Sequence, residues 1–267
     1  MRARYQETPW DSRDVDDYDL EVIARRDFVR QFGQDYQHGQ HLTILGPTGR
    51  GKSQLCYQLL DVVIDEDHPV VSLHGKIRGR DPVVGKAGKA LHLRDVDHLP
   101  SRSRMYYDRK RHWRGYIICP LRKPTDSARE RELLHTAFKD AVNRNYQTTK
   151  RNTITHINEA HQAQADLKLK EDIEAPLMRG GPDNAVWHEG QRGAYLSYHT
   201  YNAPEHIFIF YDPDKANRKR YADLGCADPD EVYWITSNLK TAKARDGRTI
   251  SQCLYVRRSG GMYVVDI

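Results

Sequence analysis

The residues with the clearest chemistry are Gly46-Pro47-Thr48-Gly49-Arg50-Gly51-Lys52-Ser53, which match G-x-x-x-x-G-K-[ST] at every fixed position. Glycines in such a loop let the backbone wrap closely enough for successive N–H groups to point at a β-phosphate. The positive end of the following helix adds to that field. Lys52 is the length needed to reach β- and γ-oxygens, and the Ser53 hydroxyl is a ligand type suited to Mg²⁺. The expected binding segment runs from Gly46 through Gln54, and its expected ligand is a nucleoside triphosphate with magnesium.

Hydrolysis needs a second element at the end of another strand, ordinarily an apolar run followed by Asp-Glu. The matching stretch is Thr153-Ile154-Thr155-His156-Ile157-Asn158-Glu159-Ala160-His161. Glu159 stands where a carboxylate would polarise an attacking water. Asn158 occupies the place of the aspartate that steadies the Mg²⁺ hydration shell. An amide oxygen can still accept a bond from a metal-bound water, but it brings no charge. A plainer role for Glu159 is that of an acidic residue favoured by a helix dipole. His156, Glu159 and His161 do not have the H-E-x-x-H spacing of a zinc site.

These residues need strands and helices to hold them, and the pattern supplies both. Apolar spacing predicts a helix over Asp19 to Phe32, a buried strand over His41 to Leu45 and an amphipathic helix over Lys52 to Val63. Further strands are expected at Pro69 to Leu73, Tyr116 to Cys119, Thr153 to Asn158, Ala194 to His199 and Ile207 to Tyr211. Ser127-Ala128-Arg129-Glu130 reads as a capping box that opens a long helix. Asp228-Pro229 starts another helix. Cys253–Arg257 and Met262–Asp266 around Gly260-Gly261 read as a hairpin. Strands alternating with helices give an α/β class: three layers around a mostly parallel central sheet, with an N-terminal arm and a C-terminal helix plus hairpin. The expected organisation is a polar tail over residues 1–18 and one domain over 19–267, carrying a basic insertion at 76–114 that is mostly loop by composition.

The chain has 267 residues and a net charge of +5. Charged residues make up 30% and the hydrophobic set 38%, with a mean hydropathy of −0.81. No run approaches the roughly 18 apolar residues of a membrane helix, and the charged N-terminus excludes a secretory signal. Cys56, Cys119, Cys226 and Cys253 are too scattered for a disulfide framework or a zinc knuckle, which suits a reducing cytoplasm. The charge is unevenly placed. Residues 76–123 hold 14 basic and 4 acidic residues, an excess of +10, so the remainder sums to −5. Within it, Arg104-Met105-Tyr106-Tyr107-Asp108-Arg109-Lys110-Arg111-His112-Trp113-Arg114 interleaves cations with aromatics, a composition suited to nucleic acid. A solvated loop or a patch paired with acidic neighbours has the same composition.

A catalytic glutamate on a strand separate from the phosphate loop resembles the ASCE division of P-loop ATPases, and within it the FtsK/HerA-type translocases of phages and mobile elements. The resemblance rests on His38 to Gly49, on Asn158-Glu159-Ala160-His161, and on Gly190-Gln191-Arg192-Gly193-Ala194-Tyr195-Leu196-Ser197-Tyr198-His199-Thr200. The last is similar to their G-R-x-x-G segment and the strand that ends in a polar sensor, with His199 where the family usually has glutamine. The resemblance implies a RecA-like core, ATP and Mg²⁺, a ring of identical subunits and DNA as partner, working in the host cytoplasm if phage-encoded. It also implies an arginine offered to a neighbouring subunit: Arg192, with Arg179 and Arg257 as rivals. A small-molecule kinase with Arg109-Lys110-Arg111 in its lid, an AAA+-like remodeller, and a nucleotide-gated binding module are the alternative readings. A packaging nuclease would need a further acidic domain for which 267 residues leave no room.

Overall fold

The computed structural model describes residues 5–6, 20–147, 153–179, 184–191, 196–223, 227–244, 247 and 249–266. In chain order, two short strands, β1 (Tyr5–Gln6) and β2 (Val22–Ile23), precede helix α1 (Arg25–Asp35). The core begins with β3 (Leu42–Leu45), α2 (Lys52–Val63) and β4 (Val70–Leu73). It continues through α3 (Pro82–Ala90), β5 (Leu93–Val96), α4 (Arg102–Arg109), β6 (Gly115–Ile118), α5 (Ser127–Tyr146) and β7 (Thr153–Ile157). A π-helical turn at Gln162–Asp166 leads to α6 (Lys170–Arg179), β8 (Asn184–Gly190), α7 (Tyr198–Asn202) and β9 (His206–Phe210). The chain closes with α8 (Lys215–Ala222), α9 (Pro229–Asn238), β10 (Thr241–Lys243), β11 (Thr249–Ser251), β12 (Cys253–Arg257) and β13 (Met262–Val265).

Ten strands form one sheet in the order β2-β13-β12-β9-β3-β8-β7-β4-β6-β5, and β1-β10-β11 form a small second one. Every pairing from β9 to β5 is parallel, and β12 alone runs against its neighbours. The parallel strands from β9 to β6 are buried on both faces, as helical crossovers require, whereas edge strand β5 is partly exposed. Phe28, Leu55, Leu59, Trp187 and Phe208 pack on one side of the sheet. On the other, Leu134, Phe138 and Ile173 pack with Val71 and Ile118, and Val232 and Ile235 pack with Ile207 and Ile209. The expected three-layer α/β architecture and the terminal hairpin are both present.

Register puts the ends of the parallel strands at one edge. Leu45 lies opposite Gly190 and Ile209, Ile157 opposite His188 and Leu73, and Leu73 opposite Ile118. All the loops expected to do chemistry leave from this carboxyl edge.

Four expectations are corrected. The strand expected at Ala194 to His199 is absent from the described residues there, and Tyr198–Asn202 is helical. The strand is Asn184–Gly190, which inserts between β3 and β7. Its buried His188 and Glu189 break the apolar pattern that marks a central strand. The basic insertion is not mostly loop: Asp81 caps α3 through Val83 N, with Pro82 in the first turn, Ser101 caps α4, and β5 extends the sheet at its edge. Asp126, rather than Ser127, caps α5 by accepting from Arg129 N at 2.9 Å. The expected tail contributes β1, which pairs with β10; its other residues through 18 lie outside the described ones.

Candidate nucleotide site

The phosphate loop follows β3 directly. Gly46 has φ of +137°, and a Cβ there would meet Phe210 Cβ at 2.7 Å, so the turn against β9 needs glycine on two counts. Gly51, with φ of +102°, caps α2 and brings no side-chain hydrogen bond to the first-turn amides. Those N–H groups are left for an anion, as a phosphate cradle requires. Lys52 Nζ donates to Pro47 O at 3.0 Å, folding across the loop. Burial pulls the Lys52 ammonium below its ordinary value, opposed by the nearby Glu189 and Glu159 carboxylates. Arg50 lies with its guanidinium 5.4 Å from the ring centre of Tyr211.

A cleft of about 300 Å³ opens over this loop, lined among others by Lys52, Ser53, Lys76, Arg80, Asn158 and Glu159. Gln54, Thr48, Gly49 and Gly51 line it as well, together with Gln191. Glu159 is held by Gln191, whose Nε2 donates to Oε1 at 2.7 Å and to Oε2 at 2.9 Å. Burial pushes the Glu159 carboxyl above its ordinary value, while the Gln191 hydrogen bond and Lys52 act in the other direction. A carboxylate with a raised pKa beside a phosphate cradle is suited to taking a proton from water.

Magnesium chemistry can be tested on the donors present. Ser53 Oγ and Asn158 stand together, with Asn158 Nδ2 donating to Ser53 Oγ at 3.3 Å. Asn158 Oδ1 is buried and without a hydrogen-bond partner. An orphaned acceptor beside a phosphate-loop serine fits a site completed by a hydrated hard cation.

Several expected site residues fall elsewhere. His199 lies on α7 rather than at the strand end expected for a sensor. β8 ends nine residues before the end expected for that strand, and it is Gln191, the residue immediately after β8, that reaches Glu159. Arg192 lies outside the described residues. Arg179 is exposed at the end of α6. Arg257 lies opposite His206 at the start of β9, at the amino edge, and pairs with Glu205 at 3.4 Å. His156 and His161 do not converge with Glu159: His156 is buried in β7 and faces Glu189.

The basic segment divides between the two edges. Lys76, Arg78 and Arg122 follow the carboxyl ends of β4 and β6, where they pair with Asp81, Asp95 and Asp97. Arg104 to Arg114 lead into the start of β6, at the amino edge. There Arg109 pairs with Asp67 and Arg114 with Asp61. Arg94 and Arg104 both neutralise buried Asp108. Tyr106 and Tyr107 remain 47% and 46% exposed, with Lys110 over one ring at 4.9 Å and Arg111 over the other at 4.6 Å. An Arg109-Lys110-Arg111 lid over the nucleotide, as in a kinase, is incompatible with this placement at the far edge.

A mostly parallel sheet with helices on both faces and a phosphate loop after β3 give the three-layer α/β fold of a P-loop NTPase. Among solved structures the chain is similar to the genome packaging NTPase B204 from Sulfolobus turreted icosahedral virus 2 in complex with sulfate. The TM-score is 0.55 at 13% identity, covering 86% of this chain and 98% of that one. The same NTPase in complex with ATP-gammaS gives a TM-score of 0.53 at 16% identity, covering 85% of this chain and 96% of that one. The cytoplasmic domain of the Thermomonospora curvata Type VII Secretion ATPase EccC gives 0.50 at 11% identity, covering 86% of this chain but 25% of that one. No family model matches the sequence, and no curated protein does. The FtsK/HerA-like resemblance is borne out at the level of fold.

Proposed function

We propose that the chain is a Mg²⁺-dependent ATPase that drives a nucleic-acid motor, a DNA translocase or genome-packaging ATPase working as a ring of identical subunits. The observation that carries the reading is the Gln191–Glu159 pair facing the phosphate loop across one cleft. The amides of Gly46 to Gln54 and Lys52 bind and orient the triphosphate. Ser53 and Asn158 would hold Mg²⁺, which would supply charge neutralisation to the triphosphate. Glu159 accepts the proton of the attacking water, and Gln191 fixes the carboxylate in the orientation that does so. Arg192, next along the chain from Gln191, is assigned the role of the arginine offered to the neighbouring subunit's γ-phosphate.

Nucleic acid is assigned to segment 76–123, above all to the face formed by Tyr106, Tyr107, Lys110 and Arg111, where rings can stack and cations can neutralise phosphates. The genome packaging NTPase neighbour supports a nucleic acid as the polymer, and DNA is the form we assign. Buried free Cys56, Cys119 and Cys253 support a reducing compartment such as the cytoplasm, and among the described residues no helix is long and apolar enough to cross a membrane. Steady-state ATP turnover with and without duplex DNA, across a salt series, tests the motor. DNA should raise turnover at low salt, with the gain fading as salt rises. Absence of both DNA binding and any change in turnover at low salt refutes it.

A further inference from the structure

The polar cluster beneath the first turn of α2 contains a carboxylate to which the motif reading gives no role. Glu189, on β8, is 1% exposed. Its neighbour in register is Ile44 of β3, just before the phosphate loop, and β7 flanks it on the other side. Ser53 Oγ donates to Glu189 Oε2 at 2.6 Å. Asn158 Nδ2 donates to Glu189 Oε1 at 3.2 Å, and His156 Nε2 lies 3.0 Å from the same oxygen. His156 Nδ1 is in turn 2.7 Å from Ser72 Oγ, which fixes the ring. No lysine or arginine among the described residues pairs with Glu189 at ion-pair distance.

Burying a carboxylate this deeply is unfavourable unless a positive charge compensates it. The protein groups in contact with Glu189 are neutral hydrogen-bond donors and one imidazole, and the Lys52 ammonium acts on it through space from the same cleft without reaching ion-pair distance. The unpaired carboxylate and the missing aspartate lie in the same place: position 158 is an amide whose Oδ1 has no partner, and the acid that meets Ser53 stands on the neighbouring strand.

We propose that Glu189 supplies the negative charge toward Mg²⁺ that position 158 lacks, acting as a positioning residue through Ser53. By accepting the Ser53 hydrogen bond, the carboxylate turns the hydroxyl lone pairs toward the cation. Asn158 and His156 hold the carboxylate in that orientation. This inference rests on the nucleotide reading above but not on hydrolysis or on DNA.

The test is equilibrium binding of a fluorescent ATP analogue to the full chain, with Mg²⁺ titrated from a chelator baseline. Glu189→Gln should raise the Mg²⁺ concentration for half-maximal binding at least tenfold while leaving chelator-baseline binding within about twofold. The charge-returning double variant Asn158→Asp with Glu189→Gln should restore the wild-type Mg²⁺ dependence. An unchanged Mg²⁺ midpoint in folded Glu189→Gln overturns the proposal. If the single variant does not fold, failure of the folded double variant to respond to Mg²⁺ as wild type does overturns it instead. Co-purifying Zn²⁺ that is lost on Cys56→Ser also overturns it, because Cys56, His156 and Glu189 offer ligand atoms within 4.8 Å of one another and that ion would occupy the carboxylate. Wild-type protein that binds the analogue without turning it over leaves this inference standing and removes only the motor.

Discussion

Around Ser53 a few charged groups converge on one small volume. Along 76–123, by contrast, fourteen cations are spread over both edges of the sheet, and at least seven of them form ion pairs. In the cleft, backbone geometry makes the field: a glycine turn, a helix end and three strand ends aim at one place. In the segment, much of the formal charge is already neutralised. Arg94 and Arg104 compensate buried Asp108, and Arg114 also donates to the carbonyls of Asp61 and Ile64, tying the end of α2 to the start of β6. Charge convergence therefore marks the chemistry more reliably than charge excess. What stays exposed in the segment includes two tyrosines with cations over their rings.

The comparison can be broken first at the cleft. Glu159→Gln should retain ATP and lower its hydrolysis by about 10²- to 10⁴-fold, the range of a lost general base. Single-turnover hydrolysis with parallel binding measures both, and an unchanged rate removes Glu159 from the chemistry. A smaller, more diagnostic effect belongs to Gln191. Its hydrogen bonds lower the Glu159 pKa against the upward push of burial, and only deprotonated Glu159 can accept a proton. Gln191→Ala should therefore move the acid limb of the turnover–pH profile to higher pH and cost about tenfold in rate near neutrality, on the order of one lost hydrogen bond to a charged group. A shift of that limb to lower pH contradicts the assignment. At the other edge the effect falls on a different ligand: Tyr106→Ala with Tyr107→Ala should weaken single-stranded DNA binding by about 1–3 kcal/mol per stacked base, with ATP affinity unchanged. Equal losses for both ligands would mean that the two regions are one site.

Much of this was legible because the phosphate loop has fixed spacing and sits between two elements with strong apolar patterns. Leu42-Thr43-Ile44-Leu45 and the Leu55, Leu59, Leu60 and Val63 stripe of α2 are strand and helix by periodicity alone. Glu159 followed from its place after β7. The place of Gln191 did not, because β8 carries His188 and Glu189 in its buried interior. A polar pair there reads as loop until its partners across the sheet are known. Glu189 was invisible for the same reason, since Ser53 reaches it from the first turn of α2 and Asn158 from just past the end of β7. α3 was hidden by Gly85 and Gly88, although Asp81-Pro82 carried the cap signal. Gly88 is needed there, because a Cβ would meet Ile117 Cδ1 at 2.6 Å. β5 was hidden by Arg94 and Asp95, which an edge strand tolerates.

Strand β8 touches both halves of the cleft: Glu189 meets Ser53 on one side, and Gln191 meets Glu159 on the other. Between them stands Gly190, where a methyl group would come within 2.7 Å of Leu196 Cδ1. One residue thus spaces the two contacts, and Gly190→Ala, which must push Leu196 aside, would shift both together.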